Sequence, residues 1–185
     1  VLLKGPTITK GYYHRDAANK DAFTEDGFFR TGDAGYIKDG ELFLTDRIKD
    51  LFKTSNGKYI APQLVESLIL VDKYIDQVAV IANERKFVSA LIVPEFRLVE
   101  DWAKEHGIEF SSREDLCANP KVNKMILDRV KTLQQQLAHY EQVKRITLIP
   151  HHFSMESGEL TNTLKIRRPV VYKNYKNEID KMYEE

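Results

Sequence analysis

Residues 30–62, RTGDAGYIKDGELFLTDRIKDLFKTSNGKYIAP, decide how this chain is read: two β-hairpins in series, joined by six mostly charged residues, DRIKDL. Asp-Gly and Asn-Gly supply the positive φ values that two-residue hairpin turns need. Asp39-Gly40 therefore closes the first hairpin and Asn56-Gly57 the second. A two-residue first turn pairs Lys38 with Glu41 and Ala34 with Thr45, setting Asp33 opposite Asp46 and next to Arg47. A carboxylate and a guanidinium then meet at the hairpin mouth. Such a pair can grip a vicinal diol or a sugar-phosphate, because the carboxylate accepts hydroxyl protons while the planar fork donates to oxygens. On residue chemistry alone, an ordinary cross-strand ion pair is the default reading.

Upstream, residues 1–29 read as a strand, a Gly5-Pro6 break, and short strands around one short helix near residues 16–22. Tyr12, Tyr13, Phe23, Phe28 and Phe29 are expected in a core. The segment has few long-range elements and is expected to dock on protein absent from this chain. The chain opens on Val1, in a strand entered midway, which leads us to expect a piece of something longer. The linker DRIKDL combines four charged residues with only two apolar ones, Ile48 and Leu51, as a solvated hinge would. A strand continuing with its charged face outward fits the same pattern.

Downstream, Pro62 suits the first turn of a helix, with Leu64, Val65, Leu68 and Val71 sharing a face. IDQVAVIA and FVSALIVP are two apolar strands around the turn NERK, read as an antiparallel pair. Residues 95–142 turn helical, with a stop at Gly107 and a long helix from Pro120 that buries Val122, Ile126, Val130, Leu133 and Leu137. KRITLIP is a third strand, and a closing helix from about Pro169 aligns Val171, Tyr175, Ile179 and Met182. The expected fold class is α+β: the end of a β-rich, distorted-barrel subdomain, then a small mobile domain. That domain has a β-hairpin and a three-stranded, mainly antiparallel sheet flanked by helices.

Composition narrows the function classes. With 185 residues the prior is one domain, or one and part of another. Lys+Arg and Asp+Glu both number 28, so nothing favours a polyanion such as nucleic acid. One cysteine, Cys117, and no Asn-x-Ser/Thr acceptor fit a reducing, cytoplasmic setting with at most a peripheral membrane contact. Gly57-Lys58 lacks the rest of a P-loop, and neither GxGxxG nor HExxH is present. His151-His152 has no third ligand at useful spacing, so no metal site is expected in this chain. In GELTNTLKIRRP, Lys165 sits in a polar loop with Arg167 and Arg168 immediately after it. A lysine on such a loop can carry its charge to a developing phosphate anion, although from this stretch alone a solvated basic turn is the default reading.

Taken in order, GPTITKGYY, DGFFRTGDAGYIKDGELFLTDRIKDLFKTSNGKYIAPQLVE and GELTNTLKIRR resemble the C-terminal third of an AMP-forming acyl-CoA synthetase. This is the superfamily of acyl- and aryl-CoA ligases, peptide-synthetase adenylation domains and firefly luciferase. DLFKTSNGKYIAP and ELTNTLKIRR are most similar to its long-chain fatty acid branch. The resemblance implies an enzyme that joins a carboxylic acid to ATP, giving acyl-AMP and pyrophosphate, and then passes the acyl group to coenzyme A. It implies that Asp33 holds the ribose hydroxyls and Arg47 supports the same nucleotide. Lys49 falls at the family's hinge, and Lys165 matches the lysine that bridges the acyl carboxylate and the α-phosphate during adenylation. Lys53, Gly57 and Lys58 fall in the coenzyme A-side loop. Most branches place Gly directly before the catalytic lysine, where this chain has Leu164.

The implied division is residues 1–47 as the last part of a large N-terminal adenylation domain, 48–50 as the hinge and 51–185 as the C-terminal domain. The phosphate loop, the acyl pocket and the magnesium ligand all lie upstream in the family, so the chain alone is expected to be inactive and to need the missing N-terminal domain. Fatty acid, ATP, coenzyme A and Mg are the implied substrates and cofactor. Two alternatives stay open: a non-catalytic module binding a nucleotide, coenzyme A or a partner, and another acid–CoA ligase branch.

Overall fold

In the computed structural model, which describes residues 1–184, the chain changes character after Leu51: Val1–Leu51 forms one unit and the residues from Phe52 onward another. The first contains β1 (Leu2–Leu3), α1 (Asp16–Ala22), β2 (Phe29–Arg30), β3 (Asp33–Lys38) and β4 (Glu41–Arg47). Strand β1 pairs with β2 and β3 with β4, both antiparallel, in two separate two-stranded sheets. Among the residues of this unit, Asp46 alone is buried. Of the aromatics expected in a core, Tyr12 is 51% and Tyr13 89% exposed, whereas Phe23, Phe28 and Phe29 are half-buried, with the Phe23 and Phe29 rings 5.4 Å apart. Two-stranded sheets have no second layer on which to lay such rings. Tyr36 and Phe43, 53% and 40% exposed, instead stack on each other across β3 and β4 with ring centres 5.3 Å apart.

The second unit begins with β5 (Phe52–Lys53) and β6 (Tyr59–Ile60), an antiparallel pair, and continues into α2 (Pro62–Ile69). Pro62 occupies the first turn as its missing N–H allows. The buried face of α2 is Pro62, Val65, Glu66 and Ile69. The expected stripe is thus displaced: Leu64 and Leu68 are half-buried, and Val71, beyond the helix end, is 71% exposed. Next come β7 (Ile75–Ile81), β8 (Val88–Pro94), α3 (Phe96–Glu105), α4 (Arg113–Ala118), α5 (Pro120–Leu133), β9 (Val143–Leu148), α6 (Arg168–Asn174) and α7 (Lys176–Lys181).

Strands β7, β8 and β9 form the main sheet in that order. All seven residues of β8 are buried, the pattern of a central strand covered on both faces. β7 and β8 run antiparallel, but β9 runs parallel to β8, so one of the two pairings contradicts a mainly antiparallel sheet. The reason is the crossover: three helices separate β8 from β9, long enough to return the chain to the same edge direction. Helix α5 buries Val122, Ile126 and Val130 and ends at Leu133, where Gln134 takes over. The Gln134 amide donates to Val143 O at 2.9 Å and accepts from Val143 N–H at 2.7 Å, sewing the helix end to the first residue of β9. The expected closing helix breaks at Tyr175 (φ −110°, ψ 29°) into α6 and α7, while Val171, Ile179 and Met182 remain in the core. The fold is mixed helix and sheet, and its small sheets are open rather than closed into a barrel among the described residues.

Candidate functional site

Asp33 and Arg47 are brought together, through a register different from the expected one. Asp39 (φ 52°) and Gly40 (φ 84°) form the type I′ turn, and pairing runs Lys38 to Glu41 through Gly35 to Leu44. Ala34 then pairs with Asp46 and Asp33 with Arg47, because Thr45 is an extra residue in a β-bulge. Gly35 makes the bulge possible, since a Cβ there would lie 2.5 Å from Phe43 O. Arg47 Nε stands 3.6 Å from Asp33 Oδ1, the two side chains being 71% and 29% exposed. Around them, Thr31 Oγ1 accepts from Asp33 N–H at 3.0 Å and Asp46 Oδ1 from Arg47 N–H at 2.7 Å. A loose, accessible carboxylate–guanidinium pair on a fixed backbone leaves both groups able to turn to a ligand.

Lys49 lies exposed in a single 3₁₀ turn, Ile48–Asp50, flanked by the extended residues Arg47 (ψ 138°) and Leu51 (ψ 133°). The turn is tied to the hairpin mouth by Ile48 N–H donating to Gly32 O at 2.8 Å.

Lys53 ends β5, while Lys58 and Lys165 occupy loops of one recurring design. In residues 54–58, Thr54 N–H donates to Lys58 O (2.9 Å), Gly57 N–H to Thr54 O (2.9 Å) and Lys58 N–H to Thr54 Oγ1 (3.1 Å), with Gly57 at φ 75°. Asn56 has no positive φ, so this is a three-residue loop with a left-handed glycine, not the two-residue turn expected. Residues 161–165 repeat the pattern: Thr161 N–H to Lys165 O (2.8 Å), Leu164 N–H to Thr161 O (2.8 Å), Lys165 N–H to Thr161 Oγ1 (3.0 Å), and Leu164 at φ 59°. Residues 24–28, closed by Thr24 and Phe28 with Gly27 at φ 81°, make the same loop. Each time a threonine hydroxyl caps the N–H of the residue four places on, so Lys58 and Lys165 leave their loops from equivalent positions. Leu164 is the one non-glycine in the left-handed place, and its side chain lies 68% exposed. In the other lysine loop, Lys53 Nζ lies 5.9 Å from the centre of the Tyr59 ring, and Lys58 Nζ 5.4 Å from that of Tyr140. The loop is fastened to the β7–β8 turn, with Glu84 N–H donating to Lys53 O (2.8 Å) and Ser55 N–H to Arg85 O (3.0 Å).

Arg168 corrects the reading of a solvated basic turn. It donates to both oxygens of Glu66, at 2.7 and 2.9 Å, with side chains 19% and 10% exposed. Glu159 was also silent in the sequence: it is buried, and accepts from Ser157 Oγ at 2.7 Å and Asn174 Nδ2 at 3.0 Å. Neither acid carries a sequence signal beyond being a glutamate at a helix's apolar boundary or a loop's edge.

The paired histidines go to different acids, His151 to Glu114 at 3.5 Å and His152 to Asp76 at 3.4 Å. Among the described residues no group of three or more His, Cys, Asp or Glu is placed to hold a metal. No described helix is long and apolar enough to cross a membrane. Cys117 is buried, and desolvation pushes its thiol up to about 12, which makes it an inert core side chain rather than a nucleophile.

The first unit thus offers a carboxylate and a guanidinium at its hairpin mouth, and the second presents Lys58 and Lys165 on capped loops. A family model described as the AMP-binding enzyme C-terminal domain matches residues 49–185, and the chain belongs to that family. It is similar to long-chain-fatty-acid–CoA ligase 1 of Homo sapiens, 37% identical over 99% of this chain and 27% of that protein. It is also similar to the peroxisomal long chain acyl-CoA synthetase 7 of Arabidopsis thaliana, 33% identical over 100% of this chain and 27% of the relative. The chain thus spans about a quarter of the length of these relatives. Among solved structures, the adenylation domain of a carboxylate reductase from Mycobacterium chelonae matches with a TM-score of 0.72 and 26% identity, over 98% of this chain and 27% of that one. The corresponding domain from Segniliparus rugosus, in complex with AMP and a co-purified carboxylic acid, matches with a TM-score of 0.71 and 25% identity, again over 98% and 27%.

Proposed function

We propose that this chain is the C-terminal part of an ATP-dependent long-chain fatty acid–CoA ligase and carries that enzyme's adenylation lysine, Lys165. The observation that supports it most is the capped loop of residues 161–165, which is closed by three hydrogen bonds, two of them on the Lys165 backbone, while the lysine side chain stays exposed, inside a domain of the AMP-binding family. In the proposed reaction an oxygen of the fatty acid carboxylate attacks the α-phosphorus of ATP. The bond from that phosphorus to the bridging oxygen breaks and pyrophosphate leaves. Lys165, a compact ammonium, would neutralise charge on the attacking carboxylate and the α-phosphate together, a contribution worth on the order of 10² to 10³ in rate. Asp33 would accept the ribose hydroxyl protons, and Arg47 would donate to the same nucleotide. Coenzyme A's thiolate would then attack the acyl carbonyl and release AMP, with Lys53, Gly57 and Lys58 lining the approach and Lys49 as the pivot between the two steps. The proposal divides the chain into 1–47, the 48–50 hinge and 51–185, and assigns the acyl pocket and the Mg ligand to upstream sequence. The chain by itself would be inactive, and the enzyme cytoplasmic.

The test is Lys165→Ala in the full-length enzyme. Acyl-AMP formation, followed by pyrophosphate exchange, should fall by on the order of 10² to 10³, while thioester formation from supplied acyl-AMP is spared. Equal loss of both steps would refute the assignment.

A further inference from the structure

Lys165 is only as well aimed as the two legs of its loop. One leg passes through Leu160, bridged to Ile166, and Glu159 O, which accepts from Arg167 N–H at 2.7 Å. The other runs three residues to Arg168, whose guanidinium is gripped at both ends by Glu66 of α2, at 2.7 and 2.9 Å. Glu66 Oε1 also accepts from Val80 N–H of β7 at 2.9 Å, and Arg168 Nη1 reaches Val80 O at 3.4 Å. The same guanidinium lies 5.0 Å from the centre of the Phe52 ring, in the first strand after the unit boundary at Leu51. One buried carboxylate therefore joins the lysine loop, the main sheet and the strand that leaves the boundary.

We infer that Glu66 is a positioning residue for Lys165, acting through Arg168, so that the lysine moves as a rigid extension of the strand following the hinge. The inference rests on the proposed role of Lys165. A buried ion pair adds little net stability over well-packed apolar residues of the same volume. What a bidentate fork supplies beyond that is direction. At up to ~3.6 Å per residue, Lys165 lies within about 11 Å of Arg168 along an extended, hydrogen-bonded leg, so a tilt at the clamp reaches the lysine undiminished. A displacement of about 1 Å at a reacting group costs on the order of 10²-fold.

The experiment uses the full-length enzyme. Glu66→Gln preserves side-chain volume but loses the charge-assisted fork, and Arg168→Lys preserves charge but not the two-point grip. Both should slow acyl-AMP formation by on the order of 10- to 10²-fold through kcat rather than KM, with thioester formation from supplied acyl-AMP unchanged. Placed on Lys165→Ala, Glu66→Gln should cost nothing further, since its effect passes through that lysine. Full additivity on Lys165→Ala, or equal slowing of both half-reactions, would make the pair structural and overturn the inference. If Lys165→Ala alone leaves adenylation intact, the fault lies with the reading of Lys165, and the inference falls with it.

Discussion

Gly35→Ala should open the hairpin mouth from a distance. The added Cβ would lie 2.5 Å from Phe43 O, 3.3 Å from Phe43 C and 3.4 Å from Leu44 Cα, all backbone atoms that cannot swing aside. Restoring ordinary contact means parting β3 and β4 by about 0.9 Å at the point where the Thr45 bulge begins. Lengthening one or two cross-strand hydrogen bonds and straining the bulge costs about 1–3 kcal/mol. A two-stranded hairpin resists such a change poorly. The first casualty is the register that sets Asp33 across from Arg47. In the full-length enzyme, AMP affinity measured by calorimetry should fall by on the order of 10-fold or more, given that 1.4 kcal/mol is a factor of ten. Gly40→Asn, at the opposite end of the same hairpin with open space around its Cα and a φ that asparagine accepts, should leave AMP affinity unchanged. Wild-type affinity in Gly35→Ala, or an equal loss in Gly40→Asn, would refute the link between bulge and clamp.

Leu164→Gly removes a left-handed leucine that costs about 1–2 kcal/mol and adds about 0.5–1 kcal/mol of unfolded-chain entropy, so urea unfolding should show a small net stabilisation, whereas Leu164→Val should destabilise. Lys49→Pro fixes φ in the 3₁₀ turn and should slow one half-reaction of the full-length enzyme more than the other; unchanged rates in both would end the hinge proposal. Burial raises the Cys117 thiol from 9.0 and the Tyr183 phenol from 10.0, each to about 12. The unfolded chain therefore loses these protons first as pH rises, and their contribution to stability is intact below about pH 9 and lost toward pH 12. The urea midpoint should decline over that window, and a thiol reagent should label Cys117 only after unfolding.

Local chemistry made much of this protein legible in one dimension. Asp39-Gly40, Pro62, Gly107 and the apolar runs of β7 and β8 announce their structures because φ preference and short apolar runs bounded by turns act within a few residues. The ordered motifs around Asp33, Arg47 and Lys165 carried the resemblance to the family whose model matches residues 49–185. The Thr45 bulge escaped, because an extra residue in one strand is visible only once the partner strand is in place, and it moved Asp33 from Asp46 to Arg47. The α2 face was displaced for a similar reason. Glu66 takes a buried place that periodicity reserves for apolar residues, since Arg168, 102 residues later, neutralises it there.

The sequence by itself thus determined turns, strands and helix starts, all properties of neighbours in the chain. Only the tertiary structure decided that β9 runs parallel to β8, that Leu164 bears a conformation its loop twins give to glycine, and that one carboxylate on α2 holds the leg of the Lys165 loop. The first and last of these depend on groups meeting across long stretches of chain, where burial and charge pairing outweigh local preference, while Leu164 is held by the closure of its own loop.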